Sequence, residues 1–338
     1  MHSSSDPSAV PVDAPSAPTL APSPSPSPSS GPAPAPAVRH RAAPLGLVLA
    51  LVSAVAFGGS GTAAKPLIEA GLSPAHTVWL RVAGAALVLL PVAWRHRDAV
   101  RRRPGLLLGF GLLAVAGVQA CYFAAISRIP VGVALLIEYL GPPLLLAYVR
   151  LVQRRPVSRR ATVGAGVAVA GLACVVEVWN GLSFDALGVL FALGAACCQV
   201  GYFVLADAGR RGERPVDPLA VSAYGLLIGA VLLTASTRPW EADWSLLGRS
   251  VTMNGHQLPA LVPALWMVLV ATVLAYLTGV VAVQHLSPPV AGVVANLEAV
   301  IATVLAWVLL GEHLGAPQLV GGALVLAGAF AAQSTGRG

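Results

Sequence analysis

Five residues set in otherwise apolar sequence are of types that do chemistry and dissolve poorly in oil: Arg81, Glu138, Tyr139, Asn296 and Glu298. An ionised carboxylate at the centre of a membrane helix costs about 2.5–3.5 kcal/mol, so each acid is expected either to serve proton coupling or substrate binding, or to be held permanently by a hydrogen bond to a neighbouring helix or by Arg81. Arg81 presents a planar fork of N–H donors that suits a carboxylate, either on a bound solute or on Glu138, and the pair with Glu138 is the favoured expectation. Tyr139 and Asn296 flank the acids and are the first candidates to line a cavity. Tyr122, Gln119, Gln199, Tyr202 and Tyr276 follow, although such side chains also bridge helices with no further role. Gly141-Pro142-Pro143 comes just after Glu138 and removes helical hydrogen bonds, so it kinks or opens that helix, as a static bend or as a moving hinge.

These residues need elements to hold them, and composition says which. The 338 residues are 56% hydrophobic and 10% charged, with a mean hydropathy of +0.77, where a soluble domain carries about 25% charged residues. The chain reads as an all-α polytopic membrane protein. Apolar runs long enough to cross a hydrocarbon core fall at 45–64, 75–94, 105–126, 131–149, 161–177, 186–206, 218–235, 261–284, 289–310 and 317–333, which predicts ten spans. Residues 1–44, rich in Pro, Ala and Ser, have too few large apolar side chains to repay ordering and read as a disordered cytoplasmic tail. The first apolar run starts too late for a cleaved leader.

The cations sit in alternate loops. Arg95, Arg97, Arg101, Arg102 and Arg103, then Arg150, Arg154, Arg155, Arg159 and Arg160, then Arg210, Arg211 and Arg214 fall on the same side as both termini. With Arg39, Arg41 and Arg337 that side holds sixteen cations, against Lys65, Arg128, Arg238 and Arg249 on the other. The positive-inside rule therefore places both termini in the cytoplasm of a cell-membrane protein. The net charge of +7 is a matter of topology and contact with anionic lipid, with no nucleic-acid partner implied.

The chain also looks written twice. Aligning the runs around Glu138 and Glu298 brings Gly132 onto Gly292, and Gly46 to Val55 compares with Gly188 to Cys197. Allowing a gap, Val163-Gly164 meets Val320-Gly321 and Ala170-Gly171 meets Ala327-Gly328. Repeats over 45–177 and 186–333 with five spans each would enter the membrane from opposite sides, an inverted repeat with a central site for alternating access. Small-residue rows such as Gly164-xxx-Ala168 and Ala323-xxx-Ala327 allow close helix approach and leave a homodimer open.

Several motifs, in order, carry a family resemblance. They are Phe57-Gly58-Gly59-Ser60, Leu80-Arg81, Ile137-Glu138-Tyr139-Leu140-Gly141-Pro142, Asn296-Leu297-Glu298 and Leu310-Gly311-Glu312. On these the chain resembles EamA-type members of the drug/metabolite transporter superfamily, most of all the bacterial threonine/homoserine exporter branch. That branch usually has proline after the second glutamate, where Ala299 stands here. The resemblance implies two five-helix bundles around a cavity and export of amino acids or other small metabolites.

The expectation is a secondary active exporter of a small metabolite, coupled to protons, with no cofactor. A passive facilitator or a broad drug exporter in the same fold is the alternative. An intramembrane enzyme is less favoured: no HExxH, GxSxG or GxxxxGK[ST] occurs, and the seven histidines fall in tails, loops or span ends. Cys121, Cys174, Cys197 and Cys198 lie within spans and fit neither a disulfide framework nor a zinc site.

Overall fold

The structure, a computed structural model, describes residues 43–177, 179, 184–210, 216–286 and 288–334. The expected tail lies outside these residues except for its last two positions, as do Arg211, Arg214 and Arg337 of the basic face.

The apolar runs become helices because nothing in a hydrocarbon medium would satisfy an open backbone N–H or C=O. In chain order they are α1 (Ala43–Glu69), α2 (Pro74–Val88), α3 (Pro104–Ile126) and α4 (Val131–Leu151), α5 (Arg159–Val175), α6 (Ala186–Arg210), α7 (Pro218–Thr237), α8 (Leu261–Ala282), α9 (Pro288–Leu305) and α10 (Ala316–Ser334). Their starts are written locally. Ser73, Ser158 and Asp217 accept from His76 N, Ala161 N and Leu219 N, each satisfying a donor left over at a helix N-terminus. Pro74 and Pro218 occupy first-turn positions where no N–H is needed.

The expected ten spans in two inverted five-helix repeats are corrected here. Among the described residues six helices are long and apolar enough to cross a membrane: Pro44–Glu69, Pro104–Ile126, Val131–Leu151, Ala186–Leu205, Pro218–Thr237 and Leu261–Ala282. The other runs are apolar without being long. α2 stops after 15 residues at Leu89, because Pro91 lacks the N–H that would continue it, and a separate helix covers Leu90–Arg95. α5 has 17 residues and starts on two arginines. The apolar stretches Asn296–Leu310 and Ala316–Ala332 are likewise shorter. At 1.5 Å per residue the 15 residues of α2 and the 17 of α5 fall short of a core about 30 Å thick.

Two departures from regular helix bear on the site. α4 is broken after Glu138: its first part is Val131–Glu138 and its second Gly141–Leu151. Pro142 and Pro143 then lie in the first turn of a new helix, where their missing donors leave no gap in the ladder. Gly141 has no Cβ because one would collide with Gln199 Oε1 of α6. The second departure is π-helix, with i→i+5 bonding, over Phe110–Gly117, Trp266–Leu274 and Ala306–Leu310, a widening that recurs at functional sites.

The closest helix crossing pairs α5 with α10, antiparallel. A Cβ on Gly171 would stand 2.7 Å from Gly321 O, and one on Gly328 2.5 Å from both Ala168 N and Gly164 O. Backbone meets backbone, as small residues permit where lipid offers no hydrophobic drive to association. Of the small-residue rows, Gly164 and Ala168 do lie at the crossing, opposite Gly328. Gly328→Leu is expected to force the pair apart by more than a flexible neighbour can absorb, costing about 3 kcal/mol or more. The check is size-exclusion chromatography in mild detergent: an unchanged monodisperse peak at wild-type yield would refute it.

Between α7 and α8 the chain forms short 3₁₀ turns and a hairpin, Ser250–Met253 against His256–Pro259, with Val251 opposite Leu258. Asn254 and Gly255 both take positive φ, 46° and 79°, the requirement of a two-residue type I′ turn. The turn docks through Asn254 Nδ2, which donates to Val308 O at 3.0 Å. Trp244 of this segment packs on Trp79 at 5.5 Å, while Trp240 is exposed.

Candidate functional site

The site starts from glycines that let helices approach. A Cβ on Gly58 of α1 would lie 3.1 Å from Glu298 O and from Ala302 N of α9, and one on Gly132 of α4 3.0 Å from Thr303 Oγ1. α9 is thus drawn against both α1 and α4. That draws Glu298 and Glu138 into one cavity, lined also by Phe57, Ser60, Arg81 and Gln119 and completed by Val118, Tyr122 and Leu135. Its volume is about 40 Å³, room for a few waters and far below the roughly 300 Å³ of a small-molecule pocket. The cavity is too small to hold a solute in this structure.

Arg81 is 3% exposed and organises the cavity wall. Its Nε donates to Thr272 Oγ1 at 2.8 Å and its Nη2 to Ala271 O at 3.2 Å. Its Nη1 donates to Gln119 Oε1 at 2.8 Å and to Ser60 Oγ. The guanidinium also lies 5.6 Å from the Phe123 ring centroid, a cation–π contact. Thr272 is fixed in turn, donating to Met267 O at 2.8 Å along the π-helical segment of α8. A buried cation is thereby held by neutral acceptors from α1, α3 and α8.

The favoured expectation that Arg81 pairs with Glu138 is therefore corrected. Among the described residues neither Glu138 nor Glu298 forms an ion pair or accepts a hydrogen bond, although both line the cavity that Arg81 lines. Glu138 is 8% exposed. Two carboxylates with open acceptor sites and one cation held by neutral groups share a space of a few waters. Such a set can take a proton, an ammonium group or a carboxylate without first breaking an internal salt bridge.

Of the residues singled out from sequence, Arg81, Glu138 and Glu298 come together, with Gln119 and Tyr122 beside them. Tyr139 and Asn296 do not line the cavity. Tyr139 is half-buried at the break in α4, and Asn296 Oδ1 is buried with no hydrogen-bond partner among the described residues. Tyr276 packs edge-on against Phe57 at 5.1 Å and Tyr202 against Phe110 at 5.5 Å. Sequence reasoning missed Thr272, a lone polar residue in the apolar run Val268–Leu274, and the Ala271 carbonyl has no sequence signal at all.

It also missed a clasp at the end of the bundle where α1 finishes and α4 begins. Lys65 Nζ bonds Glu312 Oε1 at 2.6 Å and donates to Ile129 O at 3.4 Å. Glu312 Oε2 accepts from Val131 N at 2.8 Å. Pro130 gives α4 no side-chain cap, so the glutamate of Leu310-Gly311-Glu312 satisfies that first-turn donor instead.

The EamA-like transporter family model matches residues 44–177 and again 186–332. The chain belongs to this family. The threonine/homoserine exporter RhtA of Escherichia coli (strain K12) is 28% identical over 84% of this chain and 90% of that protein. The same exporter from Salmonella typhimurium (strain SL1344) is 27% identical over 86% and 92%. An uncharacterized transporter of Bacillus subtilis (strain 168), YwfM, is 26% identical over 82% and 90%. A crystal structure superposes with a TM-score of 0.57 at 19% identity, covering 86% of this chain and 97% of that one, a likeness of fold. Multi-pass membrane embedding and a place among small-molecule transporters follow from the family and the six long apolar helices.

Proposed function

We propose that this EamA-family protein is a secondary active exporter of a small metabolite, an amino acid or related compound, which it moves by alternating access in exchange for protons. The observation that carries the reading is the central cavity where Glu138 and Glu298 stand without hydrogen-bond or ion-pair partners among the described residues, beside a neutrally held Arg81. Carboxylates buried in a membrane protein and left open to a cavity suit either a proton or a solute cation. Holding one excludes the other, which couples the two fluxes. The likeness to threonine/homoserine exporters supports the substrate class. Both termini are read on the cytoplasmic side, which an even number of crossings allows and the cations of the two tails, Arg39, Arg41 and Arg337, favour. A homodimer is compatible with this reading.

The test is efflux from cells preloaded with a panel of labelled amino acids, with and without the protein, followed by transport in liposomes with a pH indicator in the lumen. Faster efflux of a panel member, with proton movement opposite to it, is the expected result. Efflux without proton movement would leave a facilitator, and no efflux of any member would remove the amino-acid reading.

A further inference from the structure

We infer that the Nη edge of Arg81 is the receptor for a substrate carboxylate, with Ser60 and Gln119 as placeholders that occupy it while the cavity is empty, and that Glu138 and Glu298 receive the substrate's ammonium group. This inference rests on the exporter reading above and deepens it: the substrate has to be a zwitterion, with both charged ends free.

The guanidinium has two unlike edges. The Nε–Nη2 edge is anchored away from the cavity, on Thr272 Oγ1 and Ala271 O; neither residue lines the cavity, and Thr272 is locked by its own bond to Met267 O. The Nη1 side turns to Ser60 and Gln119, and both of these do line it. One edge fixes the group in place; the other faces the space where a solute would lie.

The partners on the cavity side are also the ones able to leave. A serine hydroxyl moves by a single rotation, and a glutamine side chain swings on three bonds. Gln119 Oε1 is a planar carbonyl oxygen, a neutral stand-in for one oxygen of a carboxylate. Arg81 has five N–H groups, and the bonds to Thr272, Ala271, Ser60 and Gln119 leave one of them, on Nη2, without a partner among the described residues. Once Ser60 and Gln119 swing away, an Nη1 N–H and that Nη2 N–H point in parallel, the end-on fork that binds a carboxylate through both oxygens. The same movement enlarges a cavity that at about 40 Å³ is too small for an amino acid. The same cavity is lined by the two carboxylates, acceptor-only groups suited to an ammonium.

The experiment uses the full chain in liposomes and three probes: L-threonine, L-threoninamide, which keeps the ammonium but has no carboxylate, and N-acetyl-L-threonine, which has the reverse. Wild type is expected to carry threonine with a kcat/KM about tenfold or more above either analogue, the usual scale for losing a charge-assisted hydrogen bond. In Gln119→Ala the KM for threonine is expected to fall while that for threoninamide does not, so the preference for the free carboxylate widens. A merely structural role for Gln119 would move both together. Arg81→Lys, which retains the charge without the fork, is expected to bring the preference down toward one. The inference is overturned if wild type carries threoninamide as well as threonine, or if Gln119→Ala shifts both KM values equally; in either case the transporter reading stands. If wild type carries none of the three probes, the amino-acid reading fails and this assignment with it.

Discussion

Liposomes containing Glu138→Gln are expected to exchange substrate across the membrane but not to concentrate it. A lumen one pH unit more acidic than the bath offers about 1.4 kcal/mol per proton, enough for roughly tenfold accumulation by one-for-one exchange. Wild type should approach that ratio, and Glu138→Gln should stay near one. Glutamine keeps the shape and a carbonyl acceptor while removing the group that carries the proton, and no ion pair is lost, because Glu138 has none among the described residues. Folding should therefore be unaffected, and measuring exchange at saturating substrate separates lost coupling from weaker binding of the substrate's ammonium group. Steady-state accumulation of labelled substrate decides it: a Glu138→Gln protein that still accumulates tenfold would assign proton carriage elsewhere, with Glu298→Gln the next variant to measure.

Arg81→Ala is expected to lower stability by about 3–5 kcal/mol. The change strands Ser60 Oγ, Gln119 Oε1, Thr272 Oγ1 and Ala271 O, four acceptors from three helices, and each unsatisfied buried group costs about 1–3 kcal/mol, softened where water enters. Transport should be lost as well. Arg81→Lys, with three donors on a single nitrogen, should fall between the two. Thermal unfolding in detergent, followed by tryptophan fluorescence, measures this; a melting temperature for Arg81→Ala within about 1 °C of wild type would show that the network contributes little.

The centre of the site was legible because charge in an apolar run is conspicuous: Arg81, Glu138 and Glu298 stood out, and they share a cavity. Their pairing was not legible. Opposite charges invited a salt bridge, yet the acceptors chosen are neutral and depend on which helices adjoin, with Thr272 lying 191 positions from Arg81. The break at Gly141-Pro142-Pro143 could be read because proline acts locally, whereas the π-helical widening of 266–274 has no composition of its own. The span count was too high because a run of apolar residues says how greasy a segment is without saying where its helix ends. Pro91 cuts α2 short, and the arginines leading α5 use up two of its 17 residues. Asn254-Gly255 was a readable hairpin signal, passed over because the segment lay between spans.

The clasp at Glu312 also bears on how the protein is made. The N-terminus of α4 is capped by a side chain 181 positions further along the chain, and Lys65 waits 247 positions for its anion. Synthesis proceeds from the N-terminus at about 5–20 residues per second, so for roughly ten to forty seconds the nascent first segment holds an uncapped helix start next to an unpaired cation. Only when Glu312 leaves the ribosome does that end of the bundle close, and a chain cut short of that residue would be held in the half-finished condition through which every full-length copy passes.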